Sequence, residues 1–128
     1  MSAAGLAAAL ALSPSDARAQ MDLPTMAPTT PNGATLFRNQ CAACHTIAQG
    51  APPGQGPNLF GVVGRKAGSN KGFAYSPGFA KADFVWNEPH LDAWLTNPQA
   101  VIPNAIMMYS QAKPAVRHAI IVYLETQK

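Results

Sequence analysis

Two cysteines, Cys41 and Cys44, are all that the 128-residue sequence contains, so no framework of several disulfides can hold the fold together. Histidine is nearly as scarce. With only His45, His90 and His118, a structural zinc site of four closely spaced Cys and His ligands has nothing to complete it. Charge is sparse too: Lys and Arg number 9, Asp and Glu 6, for a net +3 and 12% charged residues. No run of Lys or Arg could neutralise a phosphate backbone, which argues against nucleic acid as a partner. Nor does any apolar run reach the roughly 20 residues that a membrane-spanning helix needs. There is no internal repeat. What the chain does have is 48% hydrophobic residues with 12 prolines and 10 glycines, the composition of one small globular domain with few helices and long, shaped loops.

Three regions follow in order. Residues 1–19 read as an export signal, with an apolar run from Ala3 to Leu12 and an A-x-A cleavage site at Ala17-Arg18-Ala19, although a basic stretch before the run is missing. Residues 20–31, with Pro24, Pro28 and Pro31, read as a flexible leader. Residues 32–128 form the folded domain. The expected location is outside the cytoplasm, with the bacterial periplasm favoured and a membrane-tethered form if the signal is retained.

The chemistry is concentrated in Cys41-Ala42-Ala43-Cys44-His45. Two thiols with two residues between them fall on one edge of a turn, from which both can add to the vinyl groups of one porphyrin. The imidazole that follows is then held against the iron, where a neutral ring nitrogen fills one axial position. A dithiol redox centre expects a βαβ pattern, and none follows. A dithiol protein without haem is the remaining alternative and would be colourless. Haem c, covalently bound through Cys41 and Cys44, is the expected cofactor.

Around this motif the chain reads as all-α. Asn32 caps a first helix from Gly33 to about Cys44, with Leu36, Phe37 and Cys41 on one stripe. Residues 49–71 are a long loop rich in Gly and Pro, expected to wrap the His45 side of the cofactor. Asn87 caps a helix through Asn97 that Pro98 ends, and Pro114 opens a last helix with Val116, Ile120, Tyr123 and Leu124 on one face. No strand longer than a few residues is expected.

Taken together, Gly33 and Phe37, the Cys-x-x-Cys-His-Thr motif, Gly56-Pro57-Asn58-Leu59, Gly64-Arg65-Lys66, Gly72-Phe73-Ala74-Tyr75-Ser76, Trp86, Leu91, Leu95, Asn97-Pro98, Ile102-Pro103, Met107 and Tyr123-Leu124 resemble the class I cytochromes c. The nearest likeness is to the mitochondrial type and its bacterial periplasmic relatives. The resemblance implies first and last helices crossing near Gly33, Phe37 and Tyr123, with the haem edge-out in a crevice. It implies Met107 as the second axial ligand, with Met108 adjacent and of the same chemistry; His90 and His118 fall at surface or cap positions. It also implies that the Pro57 carbonyl fixes the His45 tautomer and that Arg65, Tyr75 and Trp86 surround the haem propionates. Trp94 stands where the family often has Tyr, so a hydrogen bond to the Met sulfur is expected to be lost or altered.

The departures bear on function. Ala105 removes a hydroxyl near a propionate, Asn104 replaces a glycine, and Phe79 stands where a polar residue is common. Gln40, Gln99, Ala100 and Ile106 occupy places where the mitochondrial protein has lysines around the haem edge. The expectation is a monomeric one-electron carrier with no small-molecule substrate. It would dock on redox proteins such as a membrane quinol oxidase complex, a terminal oxidase or a dehydrogenase through an apolar patch near Ile106, Met108 and Tyr109. A haem subunit bound permanently to an oxidoreductase, or a weak peroxidase with a labile methionine, are the rival readings.

Overall fold

Asn32 opens the first helix as the sequence suggests: its side-chain oxygen accepts from the Thr35 N–H at 3.0 Å, leaving one fewer free amide in the first turn. The computed structural model describes residues 1, 4, 5, 29 and 31–128. The export signal and leader expected over 1–31 lie, but for those few positions, outside the described residues.

Helix α1 spans Gly33–Gln40, shorter than the expected reach to about Cys44. Cys41 to Cys44 instead form a tight turn, in which Cys44 N–H and His45 N–H both donate to the Cys41 carbonyl at 3.1 and 3.0 Å. The loop that follows has no strand. Among the described residues the one β contact is an isolated antiparallel bridge between Lys66 and Val85. A short 3-10 helix, Pro77–Lys81, interrupts the loop and was not evident from periodicity.

Helix α2, Glu88–Thr96, starts at Asn87, whose side chain accepts from the His90 N–H at 3.0 Å. Pro98 does more than stop this helix. Asn97 closes α2 and at once caps a four-residue α3, Pro98–Val101, by accepting from the Gln99 N–H at 3.1 Å. Helix α4, Pro114–Glu125, begins with the proline, whose missing N–H would have had no helical partner there.

These elements share one core. Phe37, Leu91, Leu95, Ile102, Ile120, Ile121 and Leu124 are buried together, and α1 crosses α4 with Phe37 stacked on Tyr123 at 5.5 Å between ring centroids. Arg117 of α4 is buried as well. Its Nε donates to Asp92 Oδ1 on α2 at 2.7 Å, and its Nη1 donates to the carbonyls of Gln111 and Ala112. This pins α4, α2 and the chain leading into α4 around one cation. No helix among the described residues is long and apolar enough to cross a membrane.

Gly33 sits where the helices touch. A Cβ there would meet the Ala119 carbonyl and lie 2.7 Å from Tyr123 Cβ, both on α4. Helix propensity alone favours Gly33→Ala by up to about 1 kcal/mol, but overpacking at a helix crossing costs about 1–3 kcal/mol. The crossing decides the sign. Gly33→Ala is expected to destabilise the holoprotein by about 1–2 kcal/mol, seen as a lower guanidinium midpoint at unchanged slope.

Candidate cofactor site

The core is hollow. A cavity of about 390 Å³ opens between the Cys41–His45 turn, the long loop, α2 and the chain after α3; Phe37, Leu59, Val62, Leu91, Leu95, Ile120 and Leu124 supply apolar wall. Cys41, Cys44, His45, Pro57, Arg65, Tyr75, Trp86, Trp94 and Met107 all line this one space. His90 and His118 do not. His90 Nδ1 lies 2.9 Å from the Val85 carbonyl, and His118 pairs with Glu88 on the surface at 3.3 Å.

On one side His45 Nδ1 is 2.8 Å from the Pro57 carbonyl oxygen. A carbonyl only accepts, so Nδ1 carries the proton and the lone pair is left on Nε2. Burial lowers the pKa of the imidazole, against the opposing pull of the Pro57 bond, which keeps it neutral near pH 7. The loop holding Pro57 is itself stitched down. Gly56 N–H donates to the Cys44 carbonyl at 2.8 Å, Leu59 N–H to the Thr46 carbonyl at 2.9 Å, and Asn58 Nδ2 to Thr46 Oγ1 at 2.9 Å. Gly56 lies against the imidazole: a Cβ there would fall 2.6 Å from Nδ1 and 2.8 Å from Nε2. Before attachment, burial, reinforced by neighbouring Cys44, pushes the Cys41 thiol up to about 11, so the free side chain is an un-ionised S–H at neutral pH.

Across the cavity, Trp94 Nε1 donates to Met107 Sδ at 3.2 Å. Of the two expected outcomes, loss or alteration, the structure has the second: an indole N–H makes the bond. Trp94 is held edge-on between Phe79 and Trp86, at 5.7 and 5.4 Å between ring centroids. Met108 and Ile106 also border the cavity but are 85% and 74% exposed, whereas Met107 is partly buried and its sulfur is hydrogen-bonded. Asn104 takes a left-handed φ of 63°, a conformation that asparagine tolerates better than most residues.

At the polar end, Arg65 donates from Nη1 to the Phe60 carbonyl at 3.2 Å and from Nη2 to the Asn58 carbonyl at 3.0 Å. Its Nε and the hydroxyl of Ser76 are buried with no partner. Tyr75 stacks between Phe73 and Phe79, and its hydroxyl accepts from the Asn70 N–H. Among the described residues no Asp or Glu lines the cavity. A half-buried cation and two orphaned buried donors with no carboxylate beside them call for an anion from outside the chain. Haem fits on each count: a large apolar body for the wall, propionates for Arg65 and Ser76, and a metal for the free imidazole and thioether donors. Ser76 was missed by the sequence reading as a site residue, because a serine beside Tyr75 carries no signal until its burial is known.

A helical domain with thiols and imidazole on one side of a hollow core, and a thioether on the other, belongs to the class of proteins built around a covalently attached haem. Comparison with known proteins agrees. The Cytochrome c family profile matches residues 31–128. The chain is 44% identical over 94 residues to cytochrome c of Theileria annulata, covering 73% of this chain and 81% of that protein. It is 42% identical over 96 residues to cytochrome c2 of Rhodomicrobium vannielii, covering 74% and 76%, and 38% identical over 93 residues to cytochrome c of Kluyveromyces lactis, covering 72% and 84%. The chain belongs to the cytochrome c family. It is a class I cytochrome c, a single-haem electron-transfer protein with one covalently attached haem c, and a carrier rather than an enzyme. The permanent-subunit and peroxidase readings are not favoured.

The close fit of Gly56 to the imidazole can be tested. Gly56→Ala is expected to push the ring off the Pro57 carbonyl and lower the melting temperature of the holoprotein by several degrees, on the scale of about 1–3 kcal/mol for an overpacked site. Differential scanning calorimetry measures it.

Proposed function

We propose that this protein is an exported electron shuttle in which Cys41 and Cys44 hold the haem and His45 and Met107 are its axial ligands. The observation that carries the reading is the placement of a neutral imidazole, with its free nitrogen, and a hydrogen-bonded thioether in one cavity. Haem bound there supplies an iron that accepts and returns one electron. The chain's own work is to hold donors on both sides and to exclude water. Pro57 fixes the His45 tautomer, Trp94 orients Met107, and Arg65, Tyr75, Ser76 and Trp86 meet the propionates. With both axial positions filled, no site remains for a small-molecule substrate, which suits a carrier that changes little between states.

The export signal read at residues 1–19 supports the bacterial periplasm as its location, and its partners there are a membrane quinol oxidase complex, a terminal oxidase or a dehydrogenase. Docking occurs at the cavity mouth as a monomer. Ile106 and Met108 stand exposed there beside Tyr109; among the described residues no lysine lines the cavity, and the one lining arginine, Arg65, is turned to backbone carbonyls. Contact therefore rests on apolar burial more than on charge.

Two measurements test this. In the oxidised holoprotein the weak near-infrared thioether-to-iron band should vanish in Met107→Ala and persist in Met108→Ala. Loss in the second variant alone would reassign the ligand. The second-order rate of electron exchange with a protein partner should change less than about threefold between low and physiological salt, where a lysine-ringed carrier changes by about tenfold or more.

A further inference from the structure

Among the described residues, 106–110, which contain Met107, make no backbone-to-backbone hydrogen bond; the flanking ones are Ala105 N–H to the Ile102 carbonyl and Gln111 N–H to the Leu95 carbonyl. Side chains hold this segment instead. Gln99 of α3 donates Nε2 to the Ala105 carbonyl and, at 3.5 Å, to the Met107 carbonyl, and Trp94 of α2 donates to Met107 Sδ. Both attach the segment to the wall from which it comes. One contact ties it to the opposite wall. The Tyr109 hydroxyl donates to Gln40 Oε1 at 2.7 Å, and Gln111 Nε2 donates to the same oxygen at 3.1 Å. Gln40 is the last residue of α1, next to Cys41, and both Gln40 and Tyr109 line the cavity. Across 69 residues of sequence, this joins the thiol side of the cavity to the thioether side.

We propose that Gln40, Tyr109 and Gln111 form a neutral clasp that keeps the Met107 segment closed over the cavity, and that opening it sets how readily a small external ligand reaches the face held by Met107. The inference rests on the reading of Met107 as an axial ligand. Its logic is that a segment without backbone bonds opens as a unit at low local cost, and the Tyr109 hydroxyl is the tie that such an opening must break. These are positioning residues: they act on Met107 and need not touch the haem.

The test is imidazole binding to the ferric holoprotein, followed by stopped-flow absorbance. Removing one partly buried neutral hydrogen bond changes an opening equilibrium by about three- to tenfold. Tyr109→Phe and Gln40→Leu should each raise the apparent imidazole affinity by that factor. The double variant should gain little over Gln40→Leu, because both changes break the same bond. Without imidazole, the near-infrared band should remain in each variant. Val116→Ala, a truncation at a half-buried α4 residue that packs on the core and is not one of the three clasp residues, supplies a general loss of stability and should leave imidazole affinity unchanged. Unaltered affinity in Tyr109→Phe and Gln40→Leu overturns the clasp, as does an equal rise in Val116→Ala. Failure of the ligand reading is seen separately, as a wild-type band that Met107→Ala does not remove.

Discussion

Everything in this structure depends on a core that the chain cannot fill with its own side chains. The cavity of about 390 Å³ is walled by the residues that should form the interior of a small domain, among them Phe37, Leu91, Leu95, Ile120 and Leu124. Left open, this apolar wall faces water instead of packing, so the burial that should stabilise a small domain is forgone. The cofactor is therefore as much a part of the core as α1 or α4. Covalent attachment suits this arrangement: a core element tied by two sulfurs cannot dissociate when the domain opens.

How legible the fold was in the sequence varies with the range of the cause. Asn32, Asn87 and Pro114 act within one helical turn, so their capping roles could be read from their positions. Gly33 could be read because only a missing Cβ permits the crossing with Ala119 and Tyr123. The Cys41–His45 motif carries its chemistry in five residues. What was lost was set by other forces. Helix α1 stops at Gln40 because Cys41 to His45 fold into a turn that faces the cavity, a tertiary demand that overrides the continuing helical pattern. A single asparagine, Asn97, both ends α2 and begins α3, so Pro98 marks a new start where the sequence suggests only a stop. The Tyr109–Gln40 contact, between residues 69 apart, has no local signature at all.

The site combines two kinds of polar anchoring. Charge is kept inside and away from the mouth: Arg117 with Asp92 organises the base of α4, and Arg65 is turned into the loop carbonyls of Phe60 and Asn58. At the mouth, neutral amides and one phenol do the holding, through Gln40, Gln99, Gln111 and Tyr109. A neutral hydrogen bond loses little to salt, whereas an exposed ion pair is screened within about 10 Å at ordinary ionic strength. The absent lysines and the amide clasp are thus two aspects of one choice. A rim without charges docks through apolar side chains, and it needs no ion pair to stay shut.

The same logic reaches the Met107 sulfur. A phenol at the position of Trp94 could rotate its hydroxyl toward another acceptor, but an indole N–H has a direction fixed by its ring, and that ring is wedged between Phe79 and Trp86. Trp94 can leave the sulfur only by disrupting its edge contacts with both rings. The one side-chain hydrogen bond that the Met107 sulfur receives among the described residues is this directed N–H. A thioether has a second lone pair for a metal, and a donor on the first draws electron density from it. Were Met107 to hold the iron, that withdrawal would favour the reduced form, and the rigid seat of Trp94 would keep it constant between the two states.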